Sequence, residues 1–340
     1  MQPLKPLHEQ SVVITGASSG IGRATALMAA RRGACVALAS RDAGALHRLA
    51  EGIRREGGRA LAIPTDVAVE DQVQALADRA ADAFGGIDTW VNDAAVSAYG
   101  KFEQLPSAEF QRVVEIDFFG QANGCRAALP YLKEQGRGAL ICVGSALSDR
   151  AVPLQSAYCA AKHAVKALTE SLRVELAAEG SETQVTLIKP SSMSTPLFDQ
   201  AATHLGVKPK PMWPVYEPEL VAEAILYAAE HHVRELTVGG AGKLLTTLET
   251  CAGPLMDWWL ARTGENGQRS SQPKAADEGN NLFTPLPGHA HVHGSFKGRR
   301  LSLATATRLH PRRAALALGA VALGAGLIWR TRPQLLWNPR

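Results

Sequence analysis

Short apolar runs alternate along the chain with longer segments of helical periodicity. Ser11–Thr15 is a β-branched run, Ala34–Ala39 is apolar again, and further runs end at Ile63, Val91, Val143 and Ile188. Between them the pattern predicts helices. Ala43–Glu56 reads helical, and Val73, Leu76, Ala77, Ala80 and Phe84 recur at three and four residues as one buried stripe. Near-continuous apolar strands separated by helices predict an α/β fold, a doubly wound parallel sheet covered on both faces. Such sheets bind ligands beyond the carboxyl ends of their strands, so strand ends are where chemistry is expected. A helix at Glu217–His232 and a strand at Glu235–Val238 close the pattern, and Gly240–Arg262 reads as one more helix.

Two strand ends carry candidate chemistry. The first strand runs into Thr15-Gly16-Ala17-Ser18-Ser19-Gly20-Ile21-Gly22, and a helix follows at once. Gly16 permits the tight turn, Gly20 and Gly22 let the backbone approach a pyrophosphate, and the helix N-terminus faces the anion. Further on, Tyr158-Cys159-Ala160-Ala161-Lys162 places Tyr158 and Lys162 on one helix face. Ser145 lies thirteen residues before Tyr158, at the mouth of the strand Ala139–Gly144.

With these motifs in this order, the chain resembles the short-chain dehydrogenase/reductase family from about Ser11 to Gly240. The resemblance implies a Rossmann fold and an NAD(P)-dependent oxidoreductase interconverting a carbonyl and an alcohol. It also implies a small-molecule substrate and a homo-oligomer. Gly16, Ser18, Ser19, Gly20, Ile21 and Gly22 would hold the cofactor, with Asp66 and Val67 on the adenine side. Asn92 opens Asn92-Asp93-Ala94-Ala95 in place of the family's N-N-A-G, of which only the first Asn and the Ala remain. Ile188 and Thr195 match positions reaching the nicotinamide carboxamide, and Lys162 would also donate to the cofactor ribose. Ser145, Tyr158 and Lys162 match the catalytic serine, tyrosine and lysine. Asp117 stands where the family carries a catalytic Asn.

Cofactor preference is expected to turn on the end of the second strand, Leu38-Ala39-Ser40-Arg41. An acidic residue there would take the ribose hydroxyls of NAD. Arg41 is instead a fork suited to a 2′-phosphate, with Ser40 in support, which favours NADP over NAD.

The chemistry explains the residue types. A tyrosine titrating near ~10 is a poor base at neutral pH. An ammonium ~4 Å away at an effective dielectric of ~20 favours phenolate by ~4 kcal/mol, which predicts Tyr158 near ~7. Ser145 orients the substrate oxygen. A carboxylate at Asp117 would pair with Lys162 or take up a proton, and either would retune Tyr158. Leu197, Phe198, Leu205, Met212 and Trp213, in a Pro-rich stretch after the sixth strand, read as a lid over an apolar substrate.

Composition separates body from tail. The chain has 340 residues and net charge +4, but after residue 260 twelve Lys/Arg face three acids, leaving the body net acidic. Five scattered cysteines without a C-x-x-C pair exclude a disulfide scaffold and a zinc ribbon and fit a reducing, cytoplasmic setting. The expected organisation is a catalytic domain at 1–262, a polar basic linker or arm at 263–311, and a candidate membrane-anchor helix at 312–332. Within the last, 314–329 is sixteen residues without a charge, about 24 Å of helix against a hydrocarbon core of about 30 Å. A soluble helix docked on the body is the competing expectation. His289, His291 and His293 alternate without a nearby carboxylate in sequence, so no metal is expected. The tail charges bracket an apolar run and form no continuous stripe, so no nucleic-acid role is expected. The rival to an enzyme is a non-catalytic dinucleotide-binding sensor or scaffold, which Asp117 and the altered N-N-A-G segment favour.

Overall fold

The computed structural model describes residues 3–309. Seven strands form one parallel sheet: β1 (Ser11–Thr15), β2 (Cys35–Ser40), β3 (Arg59–Pro64), β4 (Thr89–Asn92), β5 (Ala139–Val143), β6 (Gln184–Pro190) and β7 (Glu235–Val238). Their order is β7-β6-β5-β4-β1-β2-β3, every neighbouring pair parallel. The order in which strands are added therefore reverses between β1 and β4, and a crevice opens at the strand ends there.

Alternation along the strands divides the core. Val12, Ile14, Val36, Leu38 and Ile141 face one layer, built from α1 (Gly20–Arg31), α2 (Ala43–Arg55) and a later helix, Glu219–Glu230. Val13, Ala37, Trp90, Leu140 and Cys142 face the other. That layer includes α3 (Glu70–Phe84), whose Val73, Leu76, Ala77 and Ala80 are buried, with Phe84 half-buried against them. With α4 (Ser107–Val114), α5 (Gly120–Glu134) and α6 (Ser156–Ala178), this is the doubly wound α/β architecture expected from the sequence.

The C-terminal part departs from the sequence reading. The helix α7 covers Gly240–Gln268, six residues beyond its expected end at Arg262, and is broken at Ala252 (φ −150°, ψ 44°) just before Pro254. Proline lacks the N–H that would continue the ladder across that point. Gln268 is buried and donates to the Pro153 and Gly264 carbonyls, both at 2.9 Å, which fixes the helix end. Beyond it, residues 269–309 pack against the body as an arm. Arg269–Pro273 pairs antiparallel with Val207–Pro209, Leu282 is fully buried in the core, and the helix Leu303–Leu309 ends on buried Leu309. Among the described residues no helix is long and apolar enough to cross a membrane. The candidate anchor 312–332 lies outside the described residues.

Candidate active site

One cleft of about 750 Å³ lies at the reversal point. The β1–α1 turn forms its floor at one end. Gly16 adopts φ +73°, and a Cβ there would sit 2.8 Å from the Ala94 backbone nitrogen. A Cβ on Gly22 would fall 2.5 Å from the Gly16 carbonyl oxygen, so α1 meets the turn only because both residues are glycine. Ser19 precedes α1 without a side-chain cap, and the Gly20 N–H at the helix start donates to the His291 carbonyl at 3.0 Å.

At the other end β5 delivers Ser145. Its Oγ accepts the Leu147 N–H at 3.0 Å, while its own N–H donates to Ser148 Oγ at 3.1 Å. This reciprocal cap locks the serine at the strand mouth. The first turns of α6 present Tyr158 and Lys162. Lys162 is 1% exposed; its Nζ lies 5.4 Å from the Tyr158 ring centre and donates to the Val143 carbonyl at 3.2 Å.

Asp117 stands behind the lysine. It sits on a π-helical turn, Glu115–Phe119, between α4 and α5, whose extra residue per turn leaves Ile116 and Asp117 both facing inward. Asp117 is fully buried: Oδ1 accepts the Val96 N–H at 2.8 Å and Oδ2 lies 3.6 Å from Lys162 Nζ. Burial pushes its carboxyl up to about 6, with Lys162 and the Val96 N–H opposing. Asp93 is likewise buried and pushed up to about 8, against the pull of Lys162 and the Gly22 N–H, so it holds its proton at neutrality. Tyr158 is displaced in the direction opposite to the expected one. Its enclosure in the cleft, and then the Asp117 charge, push the phenol well above its ordinary value; only the Ser145 hydroxyl pulls it down. Burial of the phenol, first, and the Asp117 charge, second, outweigh any pull toward neutrality.

Gly16, Ser18, Ser19, Gly20, Ile21, Ser40, Arg41, Asp66, Val67, Ser145, Tyr158, Lys162 and Thr195 all line this cleft. Gly22 lies beneath the turn and Asp117 behind Lys162. Two expected residues do not reach the cleft. Asn92 is turned into the core, where it accepts from Trp90 Nε1 at 2.8 Å and donates to the Gln121 carbonyl at 3.2 Å. The Ile188 side chain is fully buried in the sheet core, and its carbonyl receives the Gly144 N–H. Arg41 is at the cleft edge, but its guanidinium donates to main-chain carbonyls of the C-terminal arm, to Leu282 at 2.8 Å and to Asn281.

Some residues here escaped sequence reading. Arg112 of α4 bonds Asp66 at 2.5 Å and the Leu282 carbonyl at 3.1 Å. Leu245, Met256 and Trp259 of α7 also line the cleft, which Met212 of the expected lid lines too. His293 meets the carboxylates of Glu217 and Glu219 at 3.1 and 2.9 Å, outside the cleft. Arg112 and the α7 residues lie in no local motif, and the alternating histidines gave no sign of the Glu217 and Glu219 carboxylates that meet His293.

Comparison with known proteins agrees with this geometry. The family profile for short chain dehydrogenases matches residues 10–206. The chain is 38% identical over 329 residues to the uncharacterized oxidoreductase YxnA of Bacillus subtilis (strain 168), covering 95% of this chain and 92% of that protein. It is 39% identical over 227 residues to a cis-4-hydroxycyclohexanecarboxylate dehydrogenase of Sinomonas cyclohexanicum, covering 65% and 89%. Among solved structures, a short-chain dehydrogenase/reductase from Burkholderia phymatum in complex with NAD superposes with a TM-score of 0.67 at 28% identity, covering 74% and 97%. An alcohol dehydrogenase from Thermococcus sibiricus with 5-hydroxy-NADP gives 0.60 at 26% identity, covering 67% and 95%. The chain belongs to the short-chain dehydrogenase/reductase family and is an oxidoreductase of that family.

Proposed function

We propose that this protein is an NADP-dependent oxidoreductase that interconverts a carbonyl and an alcohol on an apolar substrate. The convergence of Ser145, Tyr158 and Lys162 on one cleft with the β1–α1 turn carries this reading. The residues present fit a dinucleotide. The turn admits no side chain at Gly16 or Gly22, and at the cleft edge Ser40 Oγ is buried with no hydrogen-bond partner among the described residues.

A bound nicotinamide would supply or accept the hydride. The chain handles the proton and the charge. Tyr158 gives its phenolic proton to the substrate oxygen during reduction and takes it back during oxidation. Ser145, fixed by its cap, donates to the same oxygen and stabilises the charge that develops there. Lys162 holds positive charge behind the phenol and Asp117 tempers it. With the phenol pushed up, Tyr158 carries its proton at neutral pH, the form that carbonyl reduction needs, although the same shift makes it a weaker acid. The apolar walls from α7 keep water from the reacting end.

The sensor reading has one observation of its own, the carboxylate of Asp117 beside Lys162. A panel of apolar ketones with NADPH and NADH, followed by absorbance of the reduced cofactor, separates the two. We expect turnover, faster with NADPH. In the same assay Arg41→Ala should shrink the NADPH-over-NADH binding preference by roughly 1.5–3 kcal/mol, the worth of a charged hydrogen bond. Binding of both cofactors without any turnover would favour the sensor, and an unchanged preference in the variant would make Arg41 structural.

A further inference from the structure

The C-terminal arm crosses the cleft on the side of the β1–α1 turn. It is anchored before and after the crossing: the strand Arg269–Pro273 precedes it, and His293 between Glu217 and Glu219 follows. In the crossing, Arg41 directs both prongs of its fork at the carbonyls of Leu282 and Asn281. The Gly20 N–H, at the start of the twelve-residue helix α1, donates to the His291 carbonyl at 3.0 Å. Two donors suited to phosphate are therefore occupied by the chain's own backbone. Asn281 Oδ1 and His289 Nδ1, both on residues lining the cleft, are buried and find no hydrogen-bond partner among the described residues.

Both carbonyls on Arg41 are neutral acceptors, whereas a phosphomonoester is a dianion that makes shorter, stronger, charge-assisted bonds to the same fork. A bare ribose hydroxyl has no such advantage. We infer that Asn281–His291 is a strap that moderates cofactor choice: its Asn281–Leu282 end holds Arg41 until a nucleotide 2′-phosphate displaces it and stays seated when that phosphate is absent, whereas its His291 end yields the Gly20 N–H to any dinucleotide pyrophosphate. This rests on the reading of the cleft as a dinucleotide site. The strap would act as a competitor that NADP(H) must displace and NAD(H) need not, so it offsets part of the phosphate contact and holds the NADP preference below what Arg41 alone would give.

Amide hydrogen exchange of the full-length protein reads the strap directly. The Asn281 amide is bonded to the Gln200 carbonyl and the Gly294 amide to the Ser194 carbonyl, each at 3.0 Å, and both bonds loosen when the strap lifts. Saturating NADPH or 2′,5′-ADP should speed exchange of the Asn281 amide by roughly tenfold, while NADH and 5′-AMP should leave that amide unchanged. Arg41→Ala should exchange fast without ligand and show no further change. Leu282→Ala, which loosens the strap and spares Arg41, should tighten NADPH and leave NADH nearly unchanged. Calorimetry on the same samples separates the failures. No binding of NADPH at all would overturn the dinucleotide reading and the strap with it. NADPH binding with unchanged exchange, or equal slowing by NADPH and NADH, would overturn the strap alone. Equal acceleration by inorganic phosphate would overturn its assignment to the nucleotide.

Discussion

Tyr158→Phe is expected to lower turnover by roughly 10²–10⁴-fold, the usual contribution of a positioned proton donor. NADPH affinity should stay within about twofold of wild type, because the change removes one hydroxyl and leaves the cleft wall intact. The phenol is the only group given the task of protonating the substrate oxygen; Ser145 is fixed by its cap and Lys162 lies behind the ring. Steady-state kinetics with an apolar ketone, together with calorimetric titration of NADPH, measures both halves. Wild-type turnover in the variant would contradict the assigned mechanism. A parallel collapse of cofactor binding would make Tyr158 structural.

Asp117→Asn carries the second large effect. The Asp117 carboxyl, pushed up to about 6, is ionised at neutral pH and lies 3.6 Å from Lys162. A negative charge near the phenol opposes loss of its proton, and it shares the ammonium that would otherwise stabilise phenolate. Asparagine retains an oxygen for the Val96 N–H and removes the charge. The ascending limb of kcat/KM for alcohol oxidation should then move to lower pH, by on the order of one unit, with oxidation faster at neutrality. An unmoved limb would mean that the carboxylate does not act on Tyr158. A shift to higher pH would reverse the sign of the argument. Reduction at neutral pH should change less, since the phenol already carries its proton.

The body of the fold was legible because its signals are local. Apolar runs end where the sheet ends, and the glycine turn, Ser145 and the Tyr158–Lys162 pair lie at strand mouths or on one helix turn. Less legible was what these residues do to one another across the fold. Asp117 was readable as a departure from the family residue, but its effect on Tyr158 depends on the π-helical turn that brings it to Lys162. Asn92 and Ile188 carried over by position, yet Asn92 is held by Trp90 and Gln121 and Ile188 packs into the sheet core.

The arm was the least legible part. Its Gly, Pro and His composition reads as solvated linker, and the bonds that seat it use main-chain carbonyls of Asn281, Leu282, His291 and Phe296. Every residue owns such a carbonyl, so no sequence pattern marks it. Arg41 illustrates the consequence. Its chemistry is readable as that of a phosphate fork, but its present partners belong to a segment 240 residues away.

The most direct measurement of the central claim is hydride transfer itself. NADPH carrying deuterium at the transferable ring position would be mixed with an apolar ketone in a single turnover, and the product examined by mass spectrometry. The account predicts one deuterium at the carbinol carbon with the wild-type chain and almost none over the same interval with Tyr158→Phe. Intact ketone beside bound, unreacted NADPH in the wild-type sample would contradict it.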